Sequence, residues 1–223
     1  MMTDLVVGLG EIGKPIYDLL KERNFKVDGY DSDPSKTVIK KENMYDKYDM
    51  IHICIPYHDE AQFLEALCDP KYRTMTDYLV IHSTVKEGTS DSLKAIYSPV
   101  RGVHHDMFNC LKSFTKYYSW HEDLMEFEKR FPKCIRVTDA DKLERTKHVS
   151  TSMYGAFMSV QRYFQENHPY YKDFMYELND KYGILPTYYN DKKEFGGHCI
   201  VPNLDFLNDK FINNIIGRYG GKD

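Results

Sequence analysis

Long hydrophobic runs are missing from this chain of 223 residues. No stretch approaches 18 consecutive apolar positions, which excludes a transmembrane helix. An excess of one charge is missing too. Lys and Arg total 30 against 34 Asp and Glu, a formal net charge of -4 with a pI near 6.1. Neither nucleic acid nor an acidic membrane is therefore an expected partner. Cysteine is sparse: Cys54, Cys68, Cys110, Cys134 and Cys199 are odd in number and show no CxxC spacing. That argues against a disulfide framework and a cysteine-rich zinc site, so no metal is expected. It suits a reducing compartment, and the protein is expected to be cytoplasmic. The first residues lack a basic segment and carry Asp4, so no secretory signal is expected. Repeats and low-complexity tracts are absent. What remains is an ordinary globular composition, 42% hydrophobic and 29% charged, able to bury a sizeable core. The length allows one large domain plus a smaller appendage. Its 19 tyrosines are unusual and point to no function.

The first half alternates short apolar runs with amphipathic stretches. Strands are expected at Asp4–Val7, Phe25–Tyr30, Met50–Ile55, Tyr78–His82 and Cys134–Val137. Helices are expected at Ile12–Arg23 and around Ala61–Leu67. Short runs separated by helices indicate a parallel sheet covered on both faces. After Thr138 the pattern becomes helical. Val149, Met153, Ala156, Phe157, Val160 and Phe164 form one apolar stripe of a long helix that Pro169 interrupts or ends. A helix from Tyr170 to Lys181, stopped near Gly183, a loop over 187–203 and a last helix over 204–216 complete the reading. The expected fold is α/β: a Rossmann-type, doubly wound parallel sheet over residues 1–138, then a small helical segment over 139–223.

Gly8-Leu9-Gly10-Glu11-Ile12-Gly13 fits GxGxxG between an expected strand and an expected helix, the context that gives the motif meaning. Gly8 makes the tight turn, Gly10 admits a pyrophosphate close to the backbone, and Gly13 allows close helix–strand packing. The helix N-terminus at Glu11 and Ile12 supplies N–H groups for the anion. Asp31 ends the second strand, 21 positions after Gly10. A carboxylate there accepts ribose hydroxyls and repels a 2′-phosphate, and no Arg follows it. NAD is the expected cofactor. A plain βα turn with incidental glycines is the bland alternative, and FAD or an adenylate would use the same turn.

At this point the chain resembles the UDP-glucose/GDP-mannose dehydrogenase family, which is similar at its N-terminus to 6-phosphogluconate and 3-hydroxyacid dehydrogenases. GLGEIG with Asp31 carries the resemblance first. Ile53-Cys54-Ile55-Pro56 resembles the family's strand ending in a proline beside the cofactor. His82-Ser83-Thr84-Val85-Lys86-Glu87-Gly88-Thr89 is similar to its STV-x-x-GT segment, and Tyr97-Ser98-Pro99-Val100-Arg101 to its SPER segment. Phe195-Gly196-Gly197-His198-Cys199-Ile200 resembles its GGxC nucleophile loop. The resemblance implies oxidation of a nucleotide-sugar C6 alcohol to a carboxylate with two NAD. A Cys attacks the intermediate aldehyde, and water hydrolyses the resulting thioester. It implies Cys199 as nucleophile, Lys147 as the Lys of a KxxxN pattern, and Thr84 as positioning water and cofactor. Pro56 would line the cofactor, and Arg101, Thr151, Gly197 and Asn203 the small-molecule substrate. The long helix would pair with its mate in a homodimer. The chain departs from the pattern at Thr151 (family Asn), Val100 (Glu) and Asn203 (Asp), and its proline stands at Pro202. The resemblance stops short of the family's C-terminal nucleotide-binding domain.

Read alone, Cys199 is more often a small core residue and Lys147 a solvated helix lysine. His104 and His105 follow the SPVRG segment and replace the missing Glu only if the loop aims one at the site. His52 and His82 alternate with apolar neighbours and read as structural. The sequence therefore predicts an NAD-dependent oxidoreductase for an alcohol or aldehyde of a sugar-like or hydroxy-acid substrate. Two alternatives stay open: a two-electron 3-hydroxyacid-type dehydrogenase using Lys147 with Cys199 inert, and a non-catalytic NAD-binding or interaction protein.

Overall fold

A computed structural model describes residues 3–39, 44–45, 47–68, 70–102, 104–182 and 214. Among these residues seven strands form a single sheet: β1 (Thr3–Val7), β2 (Lys26–Tyr30), β3 (Ile51–Ile53), β4 (Leu79–Ile81), β5 (Ile96–Tyr97), β6 (Lys116–Ser119) and β7 (Cys134–Val137). Their order is β2-β1-β3-β4-β5-β6-β7. Strands β1 to β5 are parallel, β6 runs antiparallel to β5, and β7 is parallel to β6. This is a doubly wound, mostly parallel sheet of Rossmann type. Every residue of β3 and β4 is buried, and so are four in succession on β1. Successive side chains point to opposite faces, so both faces of the central strands are covered.

Helix α1 (Gly13–Glu22) follows β1 and buries Ile16, Tyr17, Leu19 and Leu20. The other helices of this half are α2 (Glu60–Cys68), α3 (Pro70–Met75), α4 (Thr89–Ser92), α5 (Met107–Ser113) and α6 (Met125–Glu128), with a 3-10 turn at His104–Asp106. Residues of α1, α5 and α6 share one apolar cluster with Val6, Val80, Ile96 and Tyr118 from the strands.

Two strands were not foreseen. Strand β5 is only two residues long, and β6 opens on a lysine, which reads as surface. Lys116 is instead buried. Its Nζ donates to Ser98 O at 2.7 Å and Pro99 O at 3.0 Å and lies 3.1 Å from His82 Nδ1. The antiparallel β5–β6 pair is a departure from the all-parallel expectation, sealed by Ser98 Oγ donating to Tyr117 O at 2.7 Å.

Lys116 ends a buried polar line across the sheet. His82 Nε2 lies 2.9 Å from His52 Nδ1, and His52 Nε2 lies 3.6 Å from Asp4 Oδ2. Arg130 closes the line with a bidentate pair to Asp4, at 2.6 and 2.7 Å. His52 and His82 lie within the core, as their apolar neighbours predict, and Asp4 lies there too. Desolvation holds both imidazoles below the ordinary 6.5, His82 well below it. Burial raises the Asp4 carboxyl, but His52 at 3.6 Å and the bidentate Arg130 guanidinium outweigh it and hold the pKa below 3.8.

The chain divides into two compact units, Met1–Arg145 and Thr146–Asp223. The break falls within α7 (Ala140–Asn167), which is followed by α8 (Tyr171–Tyr182). Pro169 separates the two helices, because proline disfavours a continuing helix. Along α7 the apolar stripe is the exposed one: Val149, Met153, Phe157, Val160 and Phe164 are each more than a third exposed. Ala156 is buried, with His148, Thr151, Ser152 and Ser159. Among the described residues no helix is long and apolar enough to cross a membrane. The expected Gly183 cap, the loop over 187–203 and nearly all of the last helix lie outside the described residues, Asn214 alone being described and helical.

Candidate functional site

The chain reverses its winding between β1 and β3, since β2 is laid down on one side of β1 and β3 on the other. In such sheets the crevice lies at the carboxyl ends of the strands at that point. Gly8 follows β1 there with φ +86°. A Cβ on Gly8 would lie 2.9 Å from Cys54 O and 3.1 Å from Ile55 Cγ2, so the turn is pressed against the end of β3. A Cβ on Gly13 would stand 1.7 Å from Gly8 O, which no rearrangement of side chains relieves. Only glycine lets α1 start this close to β1. Above Gly10 nothing lies within 4 Å of the Cβ position. The middle glycine thus faces open space, as a cradle for an approaching phosphate requires.

Helix α1 begins after Ile12 without a side-chain cap and without an acidic residue in its first turn. Its first turn therefore carries no acidic side chain of its own against the N-terminal partial positive charge. Glu11 is exposed beside it. Asp31 lies at the other end of the crevice. Its Oδ2 accepts the Leu9 N–H at 2.6 Å and its Oδ1 accepts the Asp33 N–H at 2.8 Å. The Asp31 N–H donates to Thr37 Oγ1 at 2.8 Å, and the Thr37 hydroxyl donates back to Asp31 O at 2.6 Å. Each carboxylate oxygen carries two lone pairs, so acceptor capacity remains for ribose hydroxyls. Asp33 adds a second acid nearby. Hydrogen bonds from Ser35 hold its pKa below 3.8, and Lys36 Nζ lies 3.6 Å from it. The donors and acceptors of this crevice suit the phosphate and ribose groups of a dinucleotide.

The loops after β3 and β4 flank the turn. Ser83 Oγ donates to Ile55 O at 2.5 Å, tying the segment before Pro56 to the segment before Thr84. Pro56 is exposed and Thr84 half-buried. Cys54 lies beneath the glycine turn, and burial pushes its thiol up to about 12. It is a packing residue, not a nucleophile.

The structure thus brings together Gly8, Gly10, Glu11, Ile12, Gly13, Asp31, Pro56 and Thr84. Arg101 follows β5, donates from Nη2 to Thr115 O at 2.9 Å and stacks over Tyr117 with 5.1 Å to the ring centroid. Lys147 and Thr151 lie on α7, in the second unit. The Thr151 hydroxyl donates to Lys147 O at 3.0 Å, one helical turn back, as threonine commonly does in helices. Gly197, Cys199 and Asn203 lie outside the described residues. His104 and His105 sit in the 3-10 turn, and His105 is exposed. Among the described residues no group of three or more His, Cys, Asp or Glu is placed to hold a metal ion.

Two contributors escaped the sequence reading. Thr37 pins Asp31 from a turn with no motif of its own. Glu144, fully buried at the start of α7, accepts the N–H groups of Gly88 at 2.6 Å and Ser90 at 2.9 Å. Its partners are 54 and 56 residues away, and no local pattern signals such a bond.

Comparison with protein-family models finds no match, and comparison with curated proteins finds none either. Solved structures do match in fold. A UDP-D-ManNAc dehydrogenase from Pyrococcus horikoshii aligns at a TM-score of 0.76 with 17% identity, over 98% of this chain and 69% of that one. A UDP-N-acetyl-mannosamine dehydrogenase from Staphylococcus aureus aligns at 0.71 with 16% identity, over 98% and 67%. A 3-hydroxyisobutyrate dehydrogenase from Salmonella typhimurium aligns at 0.69 with 12% identity, over 99% and 93%. At these identities the likeness is one of fold: this chain has the architecture on which such dehydrogenases are built.

Proposed function

We propose that the protein is an NAD-dependent oxidoreductase acting on an alcohol or aldehyde of a sugar-like or hydroxy-acid substrate. The observation that carries the reading is the glycine turn wedged against β3, with Asp31 bound to the Leu9 N–H at the switch point of the sheet. When bound, NAD would supply the hydride acceptor. Gly10 and the start of α1 would hold its pyrophosphate. Asp31 would accept the adenosine ribose hydroxyls and disfavour a 2′-phosphate, as would Asp33. Pro56 and Thr84 would line the cofactor side. Lys147 would stabilise a developing oxyanion or exchange its proton, and Cys199 would supply a thiolate for an aldehyde. Arg101, Thr151, Gly197 and Asn203 belong to the proposed substrate side. The exposed apolar stripe of α7 supports a homodimer, to be read by sedimentation. A cytoplasmic site belongs to the same proposal.

A second reading follows the other class of enzyme that shares the fold, the 3-hydroxyisobutyrate dehydrogenases. In that reading Lys147 serves a two-electron oxidation of a 3-hydroxyacid and Cys199 is inert. Cys199→Ala separates the two, abolishing aldehyde oxidation in the first and sparing turnover in the second. Calorimetric titration with NAD, NADH and NADP at one salt concentration, with and without Asp31→Ala, tests both. Saturable NAD or NADH binding weakened by the substitution is expected. A folded protein that binds no dinucleotide would overturn the oxidoreductase reading.

A further inference from the structure

The short helix α4 is capped from far along the chain. Its N-cap residue, Gly88, has φ +89° and no side chain to offer, and no local side chain caps it. The Glu144 carboxylate takes the Gly88 and Ser90 N–H groups instead, at 2.6 and 2.9 Å, and is itself fully buried. Burial raises the Glu144 pKa, with the Ser90 and Gly88 donors acting against that rise. Burial and the Glu144 charge together raise the phenol of Tyr97, which is also fully buried. The carboxylate has therefore been taken out of water and given backbone donors of one loop. That loop begins at Ser83, whose hydroxyl is fixed to Ile55 O at 2.5 Å. Between the two anchors lies Thr84, which faces the cofactor side in the reading above. The Gly8 turn packs beside Ile55 at the first anchor, whereas the Glu144 anchor ties the Gly88 loop to α7 alone.

We propose that Glu144 is a positioning residue for the nicotinamide half of the dinucleotide, acting through the loop from Thr84 to Gly88. The inference rests on the dinucleotide reading, and it adds a division of labour: β1 and β2 hold the adenosine half, while Glu144 sets the loop that meets the other half. ADP-ribose carries only the first half, so the two functions separate by ligand.

The test titrates NAD and ADP-ribose into the wild type, Glu144→Gln and Gly88→Ala. Glu144→Gln keeps the shape but removes the charge that strengthens both N–H bonds. Its affinity for NAD is expected to fall about tenfold, with ADP-ribose unchanged within twofold. Hydrogen exchange at the Gly88 and Ser90 amides should quicken in the same variant. Gly88→Ala strains the loop at a positive φ where the Cβ meets open space, so it leaves the carboxylate in place. It is expected to show the same split, and it carries the test if Glu144→Gln does not fold. Equal losses for both ligands, or no loss for either, would overturn the inference alone. Wild-type protein that binds neither ligand would overturn the dinucleotide reading as well.

Discussion

The Leu9 N–H donates to Asp31 Oδ2 at 2.6 Å, across 22 residues of chain. The bond makes the acid at the end of β2 part of the glycine turn at the end of β1. Asp31→Asn keeps the shape of the side chain but puts an NH2 group where one of two N–H donors arrives. It should cost about 1–3 kcal/mol in urea unfolding, the usual effect of leaving such a group unpaired. It should also weaken NAD binding about tenfold while narrowing the preference over NADP. A variant with undiminished NAD affinity would show that Asp31 braces the turn and does not touch the ribose.

The glycines of the turn should part company when each is replaced by alanine. Gly13→Ala places its Cβ 1.7 Å from Gly8 O, so α1 must move off the sheet. Loss of soluble folded protein, or destabilisation above about 4 kcal/mol, is expected. Gly10→Ala meets nothing within 4 Å and should leave the thermal midpoint in place. Its methyl group would occupy the approach of a phosphate, so dinucleotide affinity should drop all the same. Equal behaviour of the two variants would contradict this assignment of roles.

Acid should destabilise the first unit well above the carboxylate range. His52 and His82 are held neutral by burial, below the ordinary 6.5. Below about pH 6.5 the unfolded chain takes up protons at both positions more readily than the folded one. Stability then falls with decreasing pH, with a slope bounded by about 2.7 kcal/mol per unit for the pair. Glu144 and Asp49, whose pKa values burial raises, act in the opposite sense at the acid end. Urea midpoints near neutral pH follow the histidines. His52→Gln should reduce the slope, and an unchanged slope would refute the assignment.

Arg130→Met should be among the costly substitutions. The guanidinium makes the bidentate pair with Asp4, donates to Glu126 O and stacks over Phe25 at 4.9 Å. Its removal leaves Asp4 ionised in the core, at a cost of about 3–5 kcal/mol. The double variant Arg130→Met with Asp4→Leu should recover much of that loss. No recovery in denaturant titration would place the cost in packing against Phe25 and not in the stranded charge.

Period and local chemistry made much of this molecule legible. Central strands buried on both faces need nearly continuous apolar runs, so Leu5–Val7, Leu79–Ile81 and Ile51–Ile53, interrupted only by His52, declare themselves. The glycine turn is equally local: Gly8 and Gly13 must lack a Cβ for α1 to start this close to the strand before it, and Gly10 leaves the space above the turn open. By the same logic the stripe from Val149 to Phe164 showed a long helix. Only the tertiary structure decided the rest. Lys116 reads as surface until Ser98 O, Pro99 O and His82 are brought around its ammonium group, which is why β6 went unseen. Glu144 reads as one more helix carboxylate until the fold delivers two backbone donors from a loop more than 50 residues away. A hydrogen bond leaves no periodic trace in the sequence when its partners meet only after the chain has folded, whereas burial of a face does.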